Sequence, residues 1–150
     1  MSELNTFETN PNSPPTSIPA FGYELLREVI LPNILGKETS SILYWAGKDL
    51  ARKYPLQSFD EVILFFEKAG WGTLTIKDES KTELELELTS PLIAERLKER
   101  DICTFQLEAG FLAQQMEIQK NVVAEAYEHP KKRSKKVILT VRWDKKDVID

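Results

Sequence analysis

The sequence predicts an α+β fold: a four-stranded antiparallel sheet covered on one face by about five helices. Three observations predict it. Two runs alternate in hydropathy, with Leu74 and Ile76 set against Thr73, Thr75 and Lys77, then Leu84, Leu86 and Leu88 against Glu83, Glu85 and Glu87. They read as a hairpin with one wet face. That charged face excludes helices on both sides, so the sheet is antiparallel with its helices on the other. A second alternating pair, "NVVAEAYEH" (121–129) and "KVILTVRW" (136–143), follows two more helical segments and completes four strands.

The elements follow in order. Residues 1–18 are polar, contain Pro11, Pro14 and Pro15, and show no apolar period, so they are expected to form a disordered tail ahead of one domain over 19–150. From Phe21, "FGYELLREVILPNILGK" places Leu25, Leu26, Val29 and Ile30 on one helical face, with Pro32 and Gly36 closing the helix. Leu25 and Val29, with Ala46 and Gly47 of the next helix, are assigned first to the core, and to a homodimer seam only if an apolar stripe remains exposed. In "TSSILYWAGKDLARKYP", Leu43, Ala46, Gly47, Leu50 and Ala51 form a stripe narrow enough for close helix contact, and Pro55 stops it. Ser58 and Glu61 have the spacing of a capping box for a third helix that ends at Gly70. Ser90 and Pro91 suit the cap and first position of a short helix through about Arg100. A longer helix runs from Thr104 to about Gln119, with Phe105, Ala109, Leu112 and Met116 on its inner stripe. Gly110 beside them costs about 1 kcal/mol relative to alanine unless close packing offsets it.

Composition narrows the function classes. With 150 residues and 41% apolar content the chain buries one proper core. No apolar run nears the roughly 20 residues of a membrane span, and the N-terminus lacks the basic start and apolar middle of an export signal. With a single cysteine, Cys103, these features predict a cytoplasmic protein. A formal charge of −4 argues against nucleic acid as a partner. The local exception is "PKKRSKK" (130–136), whose Lys131, Lys132 and Arg133 form a solvated turn or a contact for nucleic acid, anionic lipid or, the preferred alternative, an acidic protein partner. No aromatic residues interleave there to stack bases.

The helix and hairpin order, with "AGWG" (69–72), "SP" (90–91), "ICTF" (102–105), "AG" (109–110) and Glu125, resembles the ligand-binding fold shared by four-vinyl-reductase domains and transport-particle subunits of vesicle tethering. The segment from Phe21 to Trp143 also resembles the YslB-like family of small bacterial proteins, through "GYELLRE", "ILYWAGKDLARKYPL", "AGWGTLT" and "FQLEAGFLAQQ". That family brings no assigned biochemical activity. The wider resemblance implies an apolar small molecule, lipid or tetrapyrrole held between helices and sheet, and a homodimer formed through the first helices. On that basis Trp71, Cys103, Phe105 and Phe111 are the candidate pocket residues. The alternative is that Trp71, between its two glycines, simply plugs the core.

The resemblance also supplies a metal test, because phenol-sensing four-vinyl-reductase domains hold zinc with three cysteines and a glutamate. Cys103 and Glu125 match two of those positions, but Glu128 and Lys136 stand at the others, and a lysine cation cannot ligate. His129 shares a strand face with Glu125 and Tyr127, yet the set stays incomplete. Cys103 with His129 has the composition of an activated nucleophile but no orienting third residue. His129 lies on a strand before Pro130, unlike the helical histidine of haem-binding cousins. Phosphate and dinucleotide loops are absent, and Glu83, Glu85 and Glu87 on an open face have near-normal acidity. No metal or cofactor is therefore expected. The leading expectation is a non-catalytic domain that binds an apolar ligand or a partner protein. A structural dimeric adaptor with a filled core competes with it, and a cysteine-dependent enzyme comes third. The space beneath Trp71, Phe105 and Phe111 separates the first two.

Overall fold

The computed structural model describes residues 18–100 and 103–148. The tail expected over 1–18 lies, apart from Ile18, outside the described residues. Helical segments α1 (Ala20–Glu24) and α2 (Leu31–Leu35) are joined without a break by a π-helical stretch, Leu25–Ile30. A 3₁₀ turn (Gly36–Glu38) leads into α3 (Thr39–Lys53) and α4 (Phe59–Lys68). The hairpin β1 (Thr73–Glu79) and β2 (Glu83–Thr89) is followed by α5 (Pro91–Glu99), α6 (Gln106–Lys120), β3 (Val122–Lys131) and β4 (Lys136–Val148). The sheet order is β1-β2-β4-β3, antiparallel throughout. Among the described residues no helix is long and apolar enough to cross a membrane.

Alternation positions the sheet as its sequence requires. Leu84, Leu86 and Leu88 pair across to Val141, Leu139 and Val137, and all six are buried against the helices. Glu83, Glu85 and Glu87 point the other way, where Arg142 Nε donates to Glu83 at 2.8 Å and Lys136 Nζ to Glu87 at 2.9 Å. Ile76 stays 42% exposed because the inward face of β1 is covered only around Leu74.

Helices α3 and α6 make the closest packing. A Cβ at Gly47 would lie 2.1 Å from the Leu107 carbonyl oxygen, and one at Gly110 would lie 2.0 Å from that of Tyr44. Only hydrogen fits at either position, so the packing contact at Gly110 offsets its poor helix propensity. Leu43, Gly47 and Ala51 form the buried stripe of α3, whereas Ala46, assigned to it from the sequence, is exposed.

The Trp71 turn closes the layer. Gly70 and Gly72 adopt φ of 75° and 133°, and the Trp71 N–H donates to the Phe66 carbonyl at 2.9 Å. The indole then meets Phe66 edge-on at 4.9 Å between ring centroids and Phe111 at 5.3 Å, while Phe65 stacks on Phe111 at 4.5 Å. Quadrupole-favoured edge contacts of this kind hold large rings in fixed orientations.

The first helix overturns two expectations. Pro32 does not close it but sits near the start of α2, and the chain stays helical to Gly36. A proline ring crowds the carbonyl four residues back and offers it no N–H, so the wider π turn running through Glu28 to Ile30 accommodates it. Val29, assigned first to the core, faces solvent together with Leu26 and Ile30 of the same face, and Leu25 is only partly buried. The reason is the polar network beneath them.

Candidate functional site

Around the first helix, Tyr23, Arg27, Leu31 and Leu35 repeat every four residues and face inward. Phe21 (68% exposed), Leu26 (58%), Ile30 (42%) and Ile34 (70%) form the outward row, with Val29 beside it. Arg27 is the one buried residue of these segments. The helix is thus amphipathic with its charges inside and its apolar face outside, the reverse of an ordinary surface helix.

Its inward charges meet partners on two elements. Arg27 reaches α6, donating to Glu108 at 2.5 Å and to the Tyr23 hydroxyl at 2.9 Å. Burial works against the Arg27 charge, but Glu108 beside it keeps the guanidinium above its ordinary pKa, and burial pushes the Tyr23 phenol up. The adjacent Glu28 reaches α5, taking Arg96 at 2.6 Å and Arg100 at 3.9 Å. Arg96 also donates to the Thr104 carbonyl at 3.2 Å and lies 4.3 Å from the centre of the Phe105 ring. On the far side, Glu128 from β3 caps the start of α6, accepting from the Phe105 N–H at 3.0 Å, Thr104 Oγ1 at 3.2 Å and Gln106 Nε2 at 2.6 Å. Burial nonetheless holds its carboxyl above the ordinary range.

A cleft of about 680 Å³ opens beside this network, between the first helix, the turn before α3 and the end of α5. Arg27, Glu28, Lys37, Ser40, Arg100 and Thr104 are among its lining residues. Among the described residues, three buried side-chain atoms have no hydrogen-bond partner: Arg27 Nε, Arg96 Nε and Glu108 Oε2. All three belong to this cluster.

The residues singled out from the sequence lie elsewhere or serve other ends. Trp71, Phe105 and Phe111 are buried in one core, against which Cys103 packs. Trp71 and Phe111 touch, while Cys103 and Phe105 gather at Arg96, whose carbonyl accepts from Cys103 Sγ at 3.3 Å. Burial pushes the Cys103 thiol up, away from the reactive thiolate. His129 is exposed on the outward face of β3, opposite in alternation to Glu128. The metal test finds its other positions engaged, since Glu125 accepts from the Tyr127 hydroxyl, Glu128 caps α6 and Lys136 pairs with Glu87. Among the described residues no group of three His, Cys, Asp or Glu is placed to hold a metal ion. Lys131, Lys132 and Arg133 are exposed at the β3–β4 turn. Sequence reasoning missed the charged cluster, although Glu108 stands at a core register between Phe105 and Ala109.

The family described as "Protein of unknown function (DUF2507)" matches residues 20–142. The chain belongs to that family. A relative in Bacillus subtilis (strain 168), "Uncharacterized protein YslB", is 55% identical to this DUF2507 chain over 130 residues, covering 87% of it and 88% of the relative. Among solved structures, a vinyl-4-reductase family protein from Methanocaldococcus jannaschii aligns with a TM-score of 0.64 at 20% identity, over 87% of this chain and 84% of that one. An Fe(II) unliganded H-NOX protein, a point mutant from K. algicida, aligns with a TM-score of 0.54 at 13% identity, over 95% and 85%. These likenesses establish for this DUF2507 protein an α+β, four-vinyl-reductase-like fold.

Proposed function

We propose that this DUF2507 protein is a non-catalytic binding module that works as a homodimer, two copies joined through the outward faces of their first helices. The observation that carries this reading is the inverted helix. Every exposed position from Ala20 to Ile34 is uncharged: Ala20, Phe21, Gly22, Leu26, Val29, Ile30, Asn33 and Ile34. Its five large apolar side chains leave on the order of 500 Å² of apolar surface, at the upper end of what a monomer exposes. That is over half of the roughly 800 Å² each partner contributes to a standard interface. A second copy suits the face because it is self-complementary and has no charge to be matched. A helix resting on a lipid surface carries flanking cations, whereas Arg27 here is turned inward.

The reading of an apolar small molecule beneath Trp71, Phe105 and Phe111 draws on the likeness of fold, and it would have to part the Trp71 and Phe111 rings, which already touch. Capture of an acidic protein by Lys131, Lys132 and Arg133 rests on their exposure and is compatible with the dimer. Catalysis has less support, given a Cys103 thiol held in its protonated form and a His129 on the outward sheet face.

Sedimentation velocity tests the dimer. The full chain should sediment as a dimer at micromolar concentration, and a Leu26→Glu, Ile30→Glu variant as a monomer with an unchanged circular dichroism spectrum. A parent chain that stays monomeric across the concentration series refutes the proposal.

A further inference from the structure

We propose that the cleft behind the first helix is a binding site for a small organic monoanion, a carboxylate with a short apolar body, whose charged contacts are Arg100 and Lys37. This goes beyond the dimer reading, since the cleft lies on the inward side of the helix and the seam on the outward side.

Its volume of about 680 Å³ falls within the range of small-molecule sites. Its charges are unevenly matched. Arg27 is neutralised by Glu108, and Glu28 by Arg96 at 2.6 Å. Among the described residues, Arg100 has a long 3.9 Å contact to that same Glu28, its side chain 37% exposed. Lys37 is exposed and Glu99 offers one opposing carboxylate, so the described lining residues retain a single net positive charge. A carboxylate matches that charge. A phosphate monoester, at about −1.5 to −2, overshoots it. Pro32 and Gly36, with the methylene stems of Lys37 and Arg100, supply the apolar wall.

The buried atoms behind the cleft add an independent observation. Native structures leave few buried polar groups unpaired, and each calls for a cause. Here Arg27 Nε and Arg96 Nε are donors and Glu108 Oε2 an acceptor, all in side chains at least nine-tenths buried and in the cluster that backs one cleft. Of the three residues Arg27 also lines the cleft, so a hydroxyl on the ligand, or a water seated by it, is the acceptor nearest to hand for Arg27 Nε. The guanidinium of Arg100 offers the fork that suits a carboxylate.

The test is a titration of the isotope-labelled full chain, followed by proton–nitrogen correlation spectra, with sodium benzoate, inorganic phosphate and sodium chloride at matched ionic strength. Benzoate should give saturable shifts at Lys37, Arg100 and Thr104 beyond those from chloride. Lys37→Gln, at an exposed position, and Arg100→Gln, at a half-buried one, should each weaken it about tenfold while leaving the rest of the correlation spectrum in place. Benzoate shifts no larger than those from chloride, variants that bind as tightly as the parent, or phosphate binding more tightly than benzoate would each overturn the assignment.

Discussion

The ion pair that anchors the first helix allows a double-mutant cycle on Arg27→Met and Glu108→Leu. The two groups meet at 2.5 Å with side chains 4% and 1% exposed. At an effective dielectric constant of about 20 their attraction is about 7 kcal/mol. Withdrawing each charge from water costs several kcal/mol, so the pair itself contributes little net stability. Each single substitution, by contrast, strands the opposite charge in a buried site and should cost about 3–5 kcal/mol. In a chain of this length that lowers Tm by about 10 °C, taking about 2–4 °C per kcal/mol. The double variant removes both charges and replaces them with apolar volume, so it should recover most of the loss and show a coupling energy of about 3 kcal/mol. Urea unfolding followed by tryptophan fluorescence measures all four proteins. Additive losses in the double variant would refute the reasoning, because they would mean that neither residue depends on the other for its burial.

Two further predictions follow from the packing and from the α6 cap. Gly110→Ala forces a methyl group to within 2.0 Å of the Tyr44 carbonyl oxygen and should cost about 3 kcal/mol, whereas Gly22→Ala, with nothing near its Cβ, should stabilise by about 0.5–1 kcal/mol; urea midpoints compare them. Burial raises the folded-state pKa of Glu128, so between the ordinary glutamate value and the raised one the native state holds a proton the unfolded chain has lost. Stability should therefore fall as pH rises through that interval, and Glu128→Gln should remove that part of the fall; urea midpoints between about pH 4 and 7 read it.

Most of the framework was legible in the sequence because it rests on local rules. The Ser58 and Ser90 hydroxyls accept from the Glu61 and Ile93 N–H groups, as capping spacing requires, and the Leu84, Leu86, Leu88 alternation set the buried face of β2. Gly47 and Gly110 announced a close helix approach because little else excuses glycine inside a helix. The first helix was not legible, for a physical reason. It carries two four-residue rows, and hydropathy favours Leu26 and Ile30 over Tyr23 and Arg27 for the core. That rule fails where long-range partners for the charges, Glu108 at 81 residues' separation and Arg96 on α5, lie beneath the helix. Trp71, Phe105 and Phe111 were readable as large buried rings, but whether such rings line a space or fill it is decided by contacts that one sequence does not encode locally.

Arg27 and Glu28 are consecutive, yet they bind different elements, α6 and α5. Neighbouring helical residues point about a quarter-turn apart, so together the two ion pairs fix the rotation of the first helix about its axis. Apolar packing alone would not, because burial is non-directional and rewards any orientation that hides enough surface. Without the pairs, the lowest-energy rotation would turn Leu26, Val29 and Ile30 inward and present Tyr23, Arg27 and Glu28 to water, as in an ordinary surface helix. The buried charges thus hold an apolar face in solvent at a cost that only contact with another surface offsets. On the dimer reading, stability and assembly are separable in the Arg27→Met, Glu108→Leu protein. It regains most of its unfolding free energy but loses one of the two directional restraints, so its dimer should dissociate at lower dilution than the parent's even where the two unfold at similar urea concentrations.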